Sequence, residues 1–299
     1  MRGLNFIALV GAIGSSFAQN VSLCDKYTTA LLMQNNATNQ YTLLTLLVNT
    51  VVIGNYTQPN KNSVPGILAK GVYEGEEVNL LPYFDGTLVS TNRNGSAVAI
   101  NFLDDGGAAP LKLNKPSNSE RSNQYFLLTH LYQFFGKLLG CSGYSTMGFP
   151  AYRGRAMGPS HAFMDLDPAE FGYFVQQVGL AATSFGVTTE DATAVGTALQ
   201  TLFGYRCSPP TTVIPEQGMT LNSICQNSKC PLDPMATCAA YPNNGVSVEP
   251  KKANGTMPTS TRTIPSPTSS GPTRFTGAAV VENAGMMAVL GGVAFALAL

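Results

Sequence analysis

The sequence is poor in charge and in histidine. Only 11% of the 299 residues are charged, and 17 lysines and arginines balance 17 aspartates and glutamates. A chain without net charge or a basic face offers nothing to attract a polyanion, so we do not expect nucleic acid as a partner. The two histidines of the chain, His130 and His161, both lie within residues 122–204, and the chain is organised around this stretch.

Two cysteine arrangements are also missing. There is no Cys-x-x-Cys pair and no histidine close to the cysteines, so a zinc site is poorly supported. The patterns at the two ends of the sequence indicate a secreted chain. In such a chain an even number of cysteines predicts disulfides. Six cysteines predict three disulfides, which could connect in fifteen ways. The cysteines are Cys24, Cys141, Cys207, Cys225, Cys230 and Cys238.

The two ends carry targeting patterns. Arg2 precedes an apolar stretch at 4–17, and Ser16-Phe17-Ala18 has the small-x-small pattern of a cleavage site, so we predict a signal peptide over residues 1–18. Residues 284–299 are apolar and uncharged but short for a membrane span. A small-residue window and a stretch rich in Ser, Thr and Pro precede them, which is typical of a GPI-anchor signal at 277–299. A C-terminal helical anchor is the alternative, and both attach the protein to a membrane or cell wall.

The chain between these ends has a secretory composition. Five glycosylation sequons, together with a signal peptide, favour an extracellular glycoprotein. Residues 208–241 are rich in Pro and Cys and predict a small extension held by disulfides, and residues 242–276 predict a disordered, O-glycosylated stalk. The sequons lie at Asn20, Asn36, Asn55, Asn94 and Asn254.

Helical periodicity is strongest in the stretch that holds the histidines. Apolar residues recur at steps of three and four over 123–140, which predicts a helix that contains His130. Asp167 with Glu170 predicts a capped helix start, and Gly186 its end. Thr188 with Asp191 predicts a third helix, ending at Gly204.

The earlier half predicts two helical pieces over 24–55, followed by two inserted segments near 56–79 and 87–120. The first insertion has one candidate strand at Gly71-Val-Tyr, and the second has a candidate hairpin. Asp104-Asp105 lacks the spacing of an EF-hand calcium loop, so we favour a solvated turn there.

Two motifs resemble the truncated haemoglobins, closest to their first group. The match covers residues 124–203, and the earlier half matches loosely because the insertions interrupt it. The motifs are Phe134-Phe135-Gly-Lys-Leu-Leu-Gly140 and Tyr152-x-Gly154-x-x-Met157-x-x-x-His161. The resemblance implies that His161 is the proximal ligand of haem iron, that Met157 packs on the ring, and that Phe134 and Phe135 form the aromatic pair on the distal side.

The resemblance assigns roles to further residues. Phe84 corresponds to an aromatic residue against the porphyrin, and Leu127 and Leu131 line the distal side. His130 is either a sixth iron ligand or a residue of the pocket rim or core. Asn49 or Thr50 replaces the tyrosine that normally bonds the bound ligand. Tyr152, Arg153 and Arg155 lie on the loop before His161, where guanidinium groups either pair with haem propionates or remain solvated.

The fold implied is mainly α, a truncated-globin-like helical sandwich over residues 19–207, followed by the extension and the stalk. The cofactor implied is haem b, held without covalent attachment because there is no Cys-x-x-Cys-His motif. The function implied is that of a surface-anchored haem protein that binds oxygen or nitric oxide. The alternatives are a haem-dependent nitric oxide dioxygenase or peroxidase-like enzyme, and a haem-less globin-fold structural or interaction protein. The oligomeric state stays open.

Overall fold

The computed structural model describes residues 21–254, so the expected signal peptide, most of the stalk and the GPI tail lie outside the described residues. The described chain is rich in helix, with two small antiparallel sheets. The helices are α1 (Leu23–Leu32), α2 (Ala37–Ile53), α3 (Leu81–Phe84), α4 (Ala108–Leu111), α5 (Asn123–Leu138), α6 (Met157–Ser160), α7 (Pro168–Ser184) and α8 (Thr189–Phe203). The sheets pair β1 (Gly71–Tyr73) with β2 (Glu76–Val78), and β3 (Asp85–Arg93) with β4 (Ser96–Asn101).

Helix α2 lies at the centre of the core. It packs against α1, α5 and α7, and α7 packs against α8. A helix with apolar residues around most of its circumference belongs in the interior, because no face of it suits water. The buried apolar residues of α2 are Leu43, Leu44, Leu46, Val48, Val51 and Val52.

The helix ends follow the capping residues of the sequence. Ser122 accepts a hydrogen bond from the Tyr125 amide at the start of α5. Asp167 and Glu170 form a complete capping box on α7, and the Thr188 hydroxyl accepts from the Asp191 amide on α8. The three predicted helix starts are confirmed, because a cap is a contact between near neighbours that the local sequence decides.

The two insertions contain the hairpins of the fold. The strand predicted at Gly71–Tyr73 and the hairpin predicted in the second insertion are both present. Asp104 accepts hydrogen bonds from the amides of Asn123 (3.1 Å) and Gln124 (3.0 Å). Asp104 therefore helps to begin α5.

All six cysteines form disulfides, which indicates an extracellular, oxidising environment. Cys24–Cys141 joins the first turn of α1 to the chain just beyond α5, across 117 positions. Cys207–Cys238 and Cys225–Cys230 lie in and around the extension. With every thiol oxidised, no cysteine thiolate is left as a zinc ligand.

The folded chain continues past residue 242, where we expected the stalk to begin. The amide of Val89 donates to the carbonyl of Lys251 (2.8 Å), and the amide of Ala253 donates to the carbonyl of Thr87 (2.8 Å). Residues 251–253 thus add a short third strand segment to the edge of β3. Composition missed this pairing, because it depends on an unpaired strand edge that only the tertiary fold provides.

Between residues 21 and 254, no helix combines the length and the apolar character needed to cross a bilayer.

Candidate functional site

His161 lies directly after the single turn of α6, and that turn orients its ring. Its amide donates to the carbonyl of Met157 (3.1 Å), and its ring Nδ1 lies 2.8 Å from the same oxygen. A carbonyl only accepts hydrogen bonds, so Nδ1 carries the proton. In the neutral ring Nε2 then keeps a free lone pair, which is the atom and the state that bind a transition metal.

The surroundings keep this imidazole neutral. The His161 side chain retains some solvent contact, but protein atoms enclose it closely enough that desolvation lowers its pKa below 6.5. The hydrogen bond to Met157 acts in the opposite direction and is the weaker effect. At neutral pH the side chain is therefore uncharged.

The turn that carries His161 is held from outside by two distant parts of the chain. One is the β3–β4 hairpin and the other is the extension at 208–241. The hydrogen bonds are Gly158 N to Leu221 O (2.9 Å), Gln226 Nε2 to Gly158 O (3.0 Å), Gln217 Nε2 to Gly154 O (2.6 Å) and Asn92 Nδ2 to Pro159 O (2.8 Å). Sequence reasoning missed these partners, since nothing local marks a residue that bonds a segment more than 50 positions away.

Tyr152 covers the face of α5 that carries His130. Its ring centroid lies 5.7 Å from that of His130 and 5.5 Å from that of Phe134, both in edge-on geometry. The Tyr152 hydroxyl donates to the carbonyl of Arg155 (2.8 Å), and burial raises its pKa to about 12. Three residues predicted to surround haem thus contact one another in an aromatic cluster, which Phe126 and Phe203 extend.

The two arginines of the loop have different surroundings. Arg153 and Arg155 are both exposed. The Arg155 guanidinium donates to the side-chain oxygen of Asn94 (2.9 Å) and to the carbonyl of Asn92 (3.5 Å) at the tip of the β3–β4 hairpin. In this conformation Arg155 ties the loop to the hairpin, and Arg153 is the one placed as a solvated cation.

The remaining predicted residues are spread over the core. Met157, Leu127 and Leu131 are half-buried and pack against it. Phe84 ends α3, where its carbonyl accepts from the amide of Phe102 (2.7 Å). Phe135 turns away from Tyr152 and lines an apolar cavity between α1, α2, α7, α8 and the end of α5.

This cavity is too small for a porphyrin. Its volume is about 60 Å³, whereas pockets for drug-sized ligands measure about 300–1,000 Å³. Of the residues predicted to hold haem, Phe135 alone lines it. The cavity is therefore separate from the site around His161.

Asn49 cannot bond a ligand of that site, contrary to our expectation. Its Oδ1 accepts a hydrogen bond from the Tyr132 hydroxyl (2.6 Å), and its Nδ2 donates to the carbonyl of Leu111 (3.1 Å). Asn49 and Tyr132 are fully buried. The hydroxyl of Thr50, the other residue considered, is buried without a hydrogen-bond partner. The physical reason is that α2 is buried at these two positions, so their polar side chains are satisfied within the core or not at all.

The predicted haem residues fit the cofactor in part. A nitrogen suited to binding iron is present, because Nε2 of His161 is unprotonated and its ring is oriented. The face of α5 that the resemblance assigns to the distal side is covered, because Tyr152 packs against His130 and Phe134. A bound porphyrin therefore requires the Tyr152 side chain to leave that surface.

Over residues 21–254, no group of three or more His, Cys, Asp and Glu side chains could hold a bare metal ion. No protein-family model, curated protein or solved structure matches this chain.

Proposed function

We propose that this is an extracellular, surface-anchored haem-binding protein of truncated-globin type. His161 binds the iron of a noncovalently held haem b and leaves the opposite side for a diatomic ligand such as oxygen or nitric oxide. The observation that carries the proposal is the 2.8 Å contact between Nδ1 of His161 and the carbonyl of Met157.

In metal-binding histidines, the ring nitrogen that does not bind the metal donates a hydrogen bond to a nearby acceptor. The contact between Nδ1 of His161 and the Met157 carbonyl matches this arrangement. It fixes which nitrogen carries the proton, it sets the ring orientation, and it raises the basicity of Nε2. The lowered pKa of His161 acts in the same direction, because a protonated imidazole cannot bind a metal. Haem itself would supply the ligand-binding and redox chemistry.

The test is an absorption spectrum of the secreted protein titrated with haemin. We expect a Soret band that saturates at one haem per chain and is lost in His161→Ala. His130→Ala is the matched control, since it removes the other histidine of the chain, and the Soret band should persist in it. A Soret band unchanged in His161→Ala would overturn the assignment of the ligand.

A second candidate is a haem-free surface protein, and the glycines of the motif favour it. A Cβ at Gly154 would collide with the ring of Tyr152, and a Cβ at Gly158 would lie 2.7 Å from the carbonyl oxygen of Leu221. Both glycines are thus required by packing without any cofactor. Failure of the wild-type protein to take up haemin at micromolar concentration would establish this candidate in place of the first.

The anchor is part of the proposal. The disulfides support an extracellular site, and the sequence pattern of residues 277–299 supports a GPI anchor. Phosphatidylinositol-specific phospholipase C should release the protein from intact cells. Retention after this treatment, with release by detergent, would favour the helical anchor instead.

A further inference from the structure

Among the bonds from the extension to the His161 turn, one comes from a buried side chain, that of Gln226. Gln226 is 8% exposed, and its Nε2 donates to the carbonyls of Gly158 (3.0 Å) and Ser223 (2.7 Å). Both N–H groups of the amide are therefore in use. Gly158 immediately follows Met157, whose carbonyl orients the ring of His161.

The backbone of Gln226 holds the other end of the same segment. Its amide donates to the carbonyl of Leu166 (3.2 Å), and its own carbonyl lies 2.9 Å from the hydroxyl of Ser247, which the Asp165 carboxylate also contacts. The disulfide Cys225–Cys230 closes the loop in which Gln226 lies. Gln226 thus bonds the chain both before and after His161. The loop that carries Gln226 is constrained by the Cys225–Cys230 disulfide.

We infer that Gln226 is a positioning residue for His161, acting through the backbone of Gly158 and Met157. A helix of one turn is unstable by itself, because nucleation fixes several residues for a single hydrogen bond. α6 has four residues. The Met157 carbonyl faces Nδ1 only while that turn persists, so the bond from Gln226 to Gly158 sets which nitrogen of His161 carries the proton. The consequence for haem rests on the proposed function, whereas the positioning itself does not.

Nitrogen NMR of histidine-labelled, haem-free protein tests the inference. The chain has two histidines, and a His130→Gln background leaves only the signals of His161. We expect the Nδ1–H tautomer to dominate in the wild type, at a pH where the ring is neutral. Gln226→Met keeps the size of the side chain but removes its donor, and it should produce a mixture with the Nε2–H tautomer.

Gln177→Met is the matched control. Gln177 is 1% exposed, and its Oε1 accepts from the amide of Gly66 (3.0 Å), so the variant loses a buried hydrogen bond elsewhere in the core. The tautomer of His161 should remain that of the wild type in this variant. An unchanged tautomer in Gln226→Met, or an equal change in Gln177→Met, would overturn the inference.

Two further measurements keep the outcome decisive. If Gln226→Met does not fold, Ser247→Ala removes one bond to the same loop and should shift the tautomer in the same direction but less, and no shift would count against the inference. In haemin titrations, Gln226→Met should lower affinity by about tenfold or more, the usual effect of losing an outer partner of a metal ligand. Absence of haem binding in the wild type would overturn the proposed function and leave the tautomer result valid.

Discussion

The hydroxyl of Tyr132 on α5 donates a 2.6 Å hydrogen bond to the side-chain oxygen of Asn49 on α2, and neither residue reaches solvent. The side-chain amide of Asn49 continues the chain of bonds to the carbonyl of Leu111, the last residue of α4. A buried polar pair of this kind stabilises only while every member is satisfied. The hydrogen bonds of Asn49 and Tyr132 therefore link α2, α4 and α5. Loss of one donor or acceptor among them should destabilise the packing of all three helices.

Tyr132→Phe should lower the free energy of unfolding by about 1–3 kcal/mol, because it leaves the Asn49 oxygen buried without a donor. Urea denaturation of the secreted protein measures this loss. Thr50→Val is the comparison, since the Thr50 hydroxyl is already buried without a partner and its replacement by a methyl group should be neutral or stabilising. Equal losses in the two variants would contradict the account.

The free energy of unfolding should decrease as the pH is lowered, partly because of His161. Burial lowers the pKa of His161 in the folded state below 6.5. Between the folded and unfolded pKa values, the unfolded chain therefore binds a proton at His161 that the folded chain does not bind. This contribution is complete above pH 6.5 and is lost progressively as the pH falls towards the folded pKa. Denaturant midpoints measured from pH 7.5 to 5 should therefore decline more steeply for the wild type than for His161→Gln. Parallel curves would show that the ring titrates normally.

Gly158→Ala should weaken the contact between the His161 turn and the extension. A Cβ there would meet the carbonyl of Leu221 at 2.7 Å, and the backbone would have to move. We expect a lower melting temperature and faster amide exchange at Gly158, whose N–H bonds that carbonyl. Gly179→Ala in α7 is the control, because a Cβ there meets nothing within 4 Å and should stabilise the helix by about 0.5–1 kcal/mol. A melting temperature unchanged in Gly158→Ala would indicate that the contact is not required.

Tyr152→Ala should make haem uptake faster if haem occupies the α5 face. The variant removes the ring that lies against His130 and Phe134, and so removes the barrier to the porphyrin. Stopped-flow mixing with haemin, followed at the Soret band, gives the rate. Tyr41→Ala serves as control, since the Tyr41 ring on α2 packs against Tyr132 and Phe149. Slower uptake in Tyr152→Ala than in the control would place haem elsewhere.

Much of the helical framework could be predicted because its signals are local. The capping box of Asp167 and Glu170, the Thr188 cap and the apolar spacing of α5 each act over one or two turns. The candidate ligand could also be found, since only two histidines compete for the role and one ends a motif. The surroundings of Asn49 and Tyr152 could not, because their partners lie on other elements of the fold.

Local sequence and composition are enough to predict the helix starts, the presence of disulfides, the low charge and the candidacy of His161. Each of these depends on composition or on contacts between near neighbours. Only the tertiary structure decided which cysteines pair, that residues 251–253 join β3, that Tyr152 covers α5, and that Gln226 holds the turn before His161. These are contacts between segments that are distant in sequence. Their energies depend on burial and on interatomic distances in the folded protein, and the spacing of residues along the chain does not predict either.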